Sequence, residues 1–268
     1  MIYINMEKKL LLFDLDDTLL TAEKTITANT VEAIKDCKAR GMFIGYITGR
    51  ARPWTGEVFF SDKYNLPNDF TAYYNGAEIY TGDLLKESNL ISYESAMQII
   101  RSLIKIYPDA KIGVKHEPWS YLKRSGCSEG ENWNRQTGEK IKCAVLELPH
   151  YDVQRIIVEF EKDDDKNKLR ELMTEDAIFF VNVDGSAMIL NKNATKERAL
   201  KKASEYLNIP YSDIISFGDD INDTGMLKTA GIGIAVANAV DEAKAAADFI
   251  CGSNDDDGVA KWIEANIF

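Results

Sequence analysis

Asp14, Asp16 and Asp17 stand within four residues, and Thr18 follows at once. Carboxylates this close repel one another and resist desolvation, so the cluster is stable only where a cation or a strong hydrogen-bond network compensates it. Magnesium, a hard cation that takes oxygen ligands, is the natural counter-charge. Acidic residues after a strand also serve as solvated turns or helix caps. Three further features weigh against that reading when taken together: Thr48-Gly49-Arg50, Lys196, and the run Gly218-Asp219-Asp220-Ile221-Asn222-Asp223. Each falls at the C-terminal end of a predicted strand or in the first turn of a predicted helix, where an open α/β sheet offers its crevice to ligands.

These parts suit phosphoryl transfer through a covalent aspartyl-phosphate. A carboxylate is a weak nucleophile and a phosphate monoester is anionic, so a divalent metal and a lysine must cancel the repulsion before attack is feasible. Asp14, Asp16 and Asp219 supply hard oxygen ligands for Mg2+, while Lys196 and Thr48 are suited to hold phosphate oxygens. A second carboxylate two residues from the nucleophile can protonate the leaving alkoxide and later activate water. On this reading Asp14 is the nucleophile and Asp16 the acid/base.

The elements that must position these groups alternate strand and helix. The apolar run LLLF (10–13) predicts a buried strand. Thr27 is placed to cap a helix carrying Val31, Ile34 and Cys37 on one face and stopping at Gly41. Met42–Ile47 and Phe70–Tyr74 read as further strands, with Pro53 opening a helix between them. From about residue 83 the rhythm changes: a helix over Tyr93–Tyr107, a polar, Gly-rich stretch from Lys115 to Lys140 read as loop, strand-like runs at 156–160 and 177–181, and a helix over Asp164–Met173. The parallel rhythm then resumes with a helix over Lys196–Leu207, a strand at Ile214–Phe217, a helix from Asn222 and the apolar run 231–237. The expectation is an α/β chain: a Rossmann-like parallel-sheet core from residues 1–82 and 187–268, interrupted by an α+β domain over 83–186. An insertion placed there is expected to close over the crevice, exclude water and set substrate choice, with Trp119, Tyr121, Lys123, Arg124, Trp133 and Arg135 its aromatic and cationic candidates.

With DLDDT at Asp14–Thr18, Thr48 within ITGR, Lys196, and GDDIND at 218–223 in this order, the chain resembles a phosphatase of the haloacid dehalogenase (HAD) superfamily, Cof-type branch. Asn75-Gly76-Ala77, Asn238-Ala239 and the tail SNDDDGVAKWIE add to the likeness, which spans almost the whole chain. The resemblance implies a HAD-like core with a large inserted cap, and Mg2+ held by Asp14, the backbone carbonyl of Asp16, and Asp219. The phosphate and substrate set would comprise Thr48, Gly49, Arg50, Asn75, Lys196 and Asn222, with Asp220 and Asp223 in support. Asp17 departs from the branch pattern, which often has Gly there; so do Glu197 and Ala237.

Composition narrows the partners. At 268 residues and 45% hydrophobic the chain can bury substantial cores, and its net charge of −11 argues against nucleic acid or an anionic membrane as a main partner. A small phosphorylated metabolite remains, with a sugar phosphate favoured. Cys37, Cys127, Cys143 and Cys251 are widely spaced and only His116 and His150 supply imidazoles, so neither a disulfide framework nor a zinc site is expected. MIYINMEKKL is too short and polar for a signal peptide, Met6 offers an alternative start, and a cytoplasmic location is expected. The GxSxG match at 126–130 lacks an apolar strand before it, Asp163-Asp164-Asp165 reads as a helix start, and Asp255–Asp257 as an acidic turn. A phosphosugar mutase and a non-catalytic phosphometabolite-binding regulator are the competing functions.

Overall fold

The computed structural model describes residues 9–52, 64–116, 119–123, 130–134, 140–143, 150–161, 164–182 and 184–268. The helix expected to open at Pro53 lies outside them, as do Met6, Arg124, Gly126 to Glu129, Arg135 and Asp163. The chain divides into two compact units, Met1–Ser88 with Thr195–Phe268, and Asn89–Ala194.

The first unit is built on an eight-stranded sheet. Strand Leu10–Phe13 lies inside it, flanked by parallel partners Phe43–Ile47 and Ile214–Gly218. On one side follows Phe70–Tyr73 and on the other Ile232–Ala235 and Phe249–Ile250, all parallel. The sheet is completed by an antiparallel hairpin, Glu78–Thr81 and Leu84–Ser88. Side chains of the first strand alternate between two cores. Leu11 and Phe13 pack with Ile34, Cys37, Val259 and Ile263 of helices Ala28–Ala39 and Gly258–Asn266, whereas Leu10 and Leu12 pack with Ala199, Leu200 and Ala203 of helix Lys196–Leu207. A strand buried on both faces carries no polar residue until it ends, and each buried Leu stabilises the sheet by about 1.5–3 kcal/mol. Asp14 is the first charge after that run.

From the first strand the chain moves to one side of the sheet, and the strands from Ile214 onward lie on the other. The crevice of such a doubly wound sheet opens where the winding reverses, between Leu10–Phe13 and Ile214–Gly218. Asp14 and Asp219 follow these two strands directly.

The second unit holds a seven-stranded sheet, in spatial order Ala177–Val181, Ala187–Asn191, Arg155–Glu159, Lys111–His116, Trp119–Lys123, Gly130–Asn134 and Lys140–Cys143. All its pairings are antiparallel. Helix Tyr93–Ile106, capped by Ser92, buries Ala96, Met97, Ile99, Ile100 and Leu103 against Ile112, Val114, Tyr121, Ile156, Val158 and Ile189.

Several expectations are corrected here. The stretch read as loop between Lys115 and Lys140 contains the strands Trp119–Lys123 and Gly130–Asn134, and Trp119 and Trp133 stand on them. Short strands with polar residues at alternate positions leave a weak periodic signal. The helix expected over Asp164–Met173 is a 3-10 turn, Lys166–Lys168, running into the short helix Leu169–Leu172. The unit boundaries also differ from 83 and 187: the hairpin through Ser88 belongs to the first sheet, and Ala187–Asn191 to the second. Among the described residues no helix is long and apolar enough to cross a membrane.

Candidate active site

Asp14 leaves its strand still tied to the sheet, its backbone N–H donating to the Phe217 carbonyl at 3.0 Å. Its carboxylate is buried and accepts from Lys196 Nζ at 2.6 Å; the same ammonium donates to Asp223 Oδ1 at 2.7 Å. Thr195 caps the helix that carries Lys196, its hydroxyl accepting from Arg198 N, so the lysine sits at the first helical position beside the positive end of the helix. Thr18 donates its hydroxyl to Asp219 Oδ1 at 2.8 Å, joining the first carboxylate loop to the last.

Among the described residues, Asp14, Asp219 and Asp223 can each offer an oxygen within 4.8 Å of the others. Three carboxylate oxygens without imidazole or thiolate form a donor set suited to a hard divalent cation. Asp223 is the most committed of the three. Its Oδ1 takes Lys196, and its Oδ2 accepts from the backbone N–H groups of Asp219 and Asp220 at 3.2 and 3.1 Å. Asp223 thereby braces the loop that carries Asp219.

Electrostatics agree with that donor set. Burial pushes the Asp14 carboxyl well above its ordinary range, with Lys196 opposing and the charges of Asp223 and Asp219 adding to the rise. Burial and the neighbouring Asp223 likewise push Asp219 up to about 6, against the pull of Lys196 and Thr18. Burial lowers the Lys196 pKa less than Asp14 and Asp223 raise it, so its ammonium stays charged. A bound divalent cation reverses the penalty on the carboxylates.

Asp16 has other company. Arg50 forks onto both its oxygens, Nε to Oδ2 at 2.6 Å and Nη2 to Oδ1, and Lys24 Nζ lies 3.6 Å from Oδ1. Burial alone would raise its pKa, but these cations hold it below the usual carboxylate range. The Asp16 carboxylate thus lies outside the cluster of Asp14, Asp219 and Asp223.

Thr48 is fully buried; its hydroxyl accepts from Arg50 N at 3.1 Å and its carbonyl from Asn75 N at 2.8 Å. Asn75 follows strand Phe70–Tyr73 in a left-handed turn, φ 57°, and both ends of its buried carboxamide are without a hydrogen bond. Gly49 lies against it: a Cβ there would stand 3.4 Å from Asn75 Oδ1. Gly76, at φ 109°, brings the turn against the start of the lysine-bearing helix, where a Cβ would meet the Thr195 carbonyl at 3.2 Å. Asn222 lies in the 3-10 turn Ile221–Asp223, its Oδ1 also unsatisfied. Asp220 opens that turn as a cap, donated to by Ile221 N at 2.7 Å. Arg50 was expected among the phosphate-binding residues, yet here it is engaged with Asp16. Thr195 and Lys24 were not anticipated, because a hydroxyl and an exposed lysine carry no distinguishing pattern until the loops meet.

A family model described as haloacid dehalogenase-like hydrolase matches residues 11–263. The chain belongs to this family. Its relatives include two enzymes of Bacillus subtilis (strain 168), both named 5-amino-6-(5-phospho-D-ribitylamino)uracil phosphatase. YcsE is 26% identical over 265 residues, covering 97% of this chain and 96% of the relative. YwtE is 28% identical over 283 residues, covering 96% and 97%. Among solved structures, the HAD phosphatase BT1666 from Bacteroides thetaiotaomicron superposes with a TM-score of 0.78 at 22% identity, over 97% of this chain and 95% of its own. The chain is a phosphoric monoester hydrolase of this family.

Proposed function

We propose that this HAD phosphatase hydrolyses the phosphate ester of a small sugar or sugar-alcohol metabolite through an aspartyl-phosphate on Asp14, with Mg2+ as cofactor. The observation that supports it best is the buried Lys196 ammonium bridging Asp14 and Asp223 beside Asp219. Bound Mg2+ would offset the negative charge of the carboxylates and the phosphoryl group. Asp14 and Asp219, with the Asp16 carbonyl, would hold it. Lys196, Thr48 and Gly49 bind and orient the phosphoryl oxygens, the unsatisfied Nδ2 of Asn75 is available to donate to them, and Asn222 would turn its own Nδ2 toward them.

An Asp14 carboxylate oxygen attacks phosphorus as the ester P–O bond breaks, and Asp16 delivers its proton to the leaving oxygen. Water then attacks the phosphoryl group with Asp16 accepting the proton, releasing inorganic phosphate and restoring Asp14. For this the Arg50–Asp16 pair must open, the anionic substrate competing for Arg50, so that Asp16 freed from the cation takes up from solvent the proton it then delivers. The sugar-type substrate rests on the named activity of the two Bacillus relatives, whose substrate carries its phosphate on a ribityl group. We assign substrate selection to the second unit and place the protein in the cytoplasm. The test is phosphate release with Mg2+ across sugar phosphates, nucleotides, pyridoxal phosphate and flavin mononucleotide. Release equal to substrate consumed is expected, with sugar phosphates leading. An isomerised phosphosugar without free phosphate would point to a mutase, and saturable binding without turnover to a regulator.

A further inference from the structure

Asp17 occupies a left-handed backbone conformation, φ 59°, directly after the acid/base residue. Such a conformation is easy for glycine and strained for most side chains, Asp being among the more tolerant. An aspartate here has a use that glycine lacks. Its carboxylate accepts from Lys24 Nζ at 2.7 Å, and the same ammonium reaches Asp16 Oδ1 at 3.6 Å. Its carbonyl accepts from Asn238 Nδ2 at 2.7 Å.

Asn238 is itself held. Its Oδ1 accepts from Asn254 N at 3.1 Å, and Asn254 Nδ2 donates to the Leu20 carbonyl at 2.8 Å. Two residues on from Asn238, Val240 N donates to the Asp219 carbonyl at 2.9 Å. The Asn238 loop therefore clips the loop of Asp14 and Asp16 to the loop of Asp219, and Asp17 is its point of attachment. We propose that Asp17 is a positioning residue: pinned by Lys24 and Asn238, it fixes the backbone from which Asp16 reaches the leaving oxygen. The Asp17 side chain and carbonyl and the Asn238 carboxamide thereby share one task. The positioning role rests on the reading of Asp16 as the proton donor.

Leaving groups separate positioning from mere support. An alkyl alkoxide needs a proton as it departs, whereas p-nitrophenolate departs with little help. Asp17→Gly keeps the backbone conformation accessible and removes the Lys24 anchor; Asn238→Ala removes the carbonyl anchor at an exposed site. Each should lower kcat/KM for glycerol phosphate by about tenfold, a fraction of the 10² to 10⁴ that proton transfer supplies, and for p-nitrophenyl phosphate by no more than about twofold. Lys24→Met should behave alike and Lys24→Arg should restore the parent ratio. Asp16→Asn, measured alongside, should show the same selectivity at larger size. Equal losses on both esters, or no loss on either, in the Asp17 and Asn238 variants would overturn the positioning role while Asp16→Asn keeps its selectivity. Equal losses in Asp16→Asn itself would overturn the proton-donor reading beneath it.

Discussion

Lys196 Nζ and Asp14 Oδ1 are 182 residues apart in the chain and 2.6 Å apart in the fold, both buried. The ammonium also holds Asp223, so one cation stands between two buried carboxylates. Removing a partner from such a group leaves charge uncompensated in a medium that solvates it poorly.

Lys196→Met should therefore abolish phosphate release and also destabilise the metal-free chain, by about 3–5 kcal/mol in urea unfolding. A variant as stable as the parent would show that Asp14 and Asp223 find other compensation.

Asp14→Asn should reduce phosphate release to background with the fold retained by circular dichroism. The amide is nearly isosteric but cannot form the acyl phosphate. Trapping labelled phosphate on the parent chain and not on the variant, in acid-quenched samples, would locate the intermediate on this residue.

For Asp219 the pH dependence has a defined sign. Its folded pKa of about 6 lies above the ordinary 3.8 because burial and Asp223 penalise its charge. Stability from the protonated form is full below about pH 4 and is lost as pH rises through about 6. Without metal, the thermal midpoint of the parent relative to Asp219→Asn should fall across that window. Mg2+ should raise the midpoint more at pH 7.5 than at pH 5, because protons compete with the ion; an equal rise at both would contradict a carboxylate site.

Chelation should remove activity and Mg2+ restore it, with zinc a poor substitute for an all-oxygen set. Asp219→Ala should shift the Mg2+ concentration for half-maximal activity upward. Full turnover after exhaustive dialysis against EDTA would exclude the metal.

Gly218→Ala tests the bracing of the last loop without altering a charge. A methyl group there would lie 2.6 Å from both Cβ and Cγ of Asp223. Asp223 must move, taking with it a partner of Lys196 and the hydrogen bonds to Asp219 and Asp220. Phosphate release should fall by tenfold or more, a loss of at least about 1.4 kcal/mol of transition-state stabilisation, and the Mg2+ requirement should rise.

The sequence by itself determined the alternation of strand and helix in the core, because LLLF and its parallel partners are buried and therefore apolar, and because Thr27 and Gly41 punctuate the helix between them. It also determined which residues could do chemistry, since charge placed at strand ends is rare enough to stand out. It could not show the strands Trp119–Lys123 and Gly130–Asn134 of the second unit, which are short and mix polar with apolar residues without a clean period. Nor could it show where the units divide: strand Leu84–Ser88 pairs with Glu78–Thr81 of the first sheet, and Glu87 on it is gripped by Arg198 and Lys202. Tertiary structure alone decided which carboxylates face one another. Asp16 and Asp223 look alike in sequence, yet Arg50 takes the first out of the cluster and Lys196 brings the second in. Side-chain partners depend on distances of a few ångströms between loops far apart in the chain, and no local pattern encodes them.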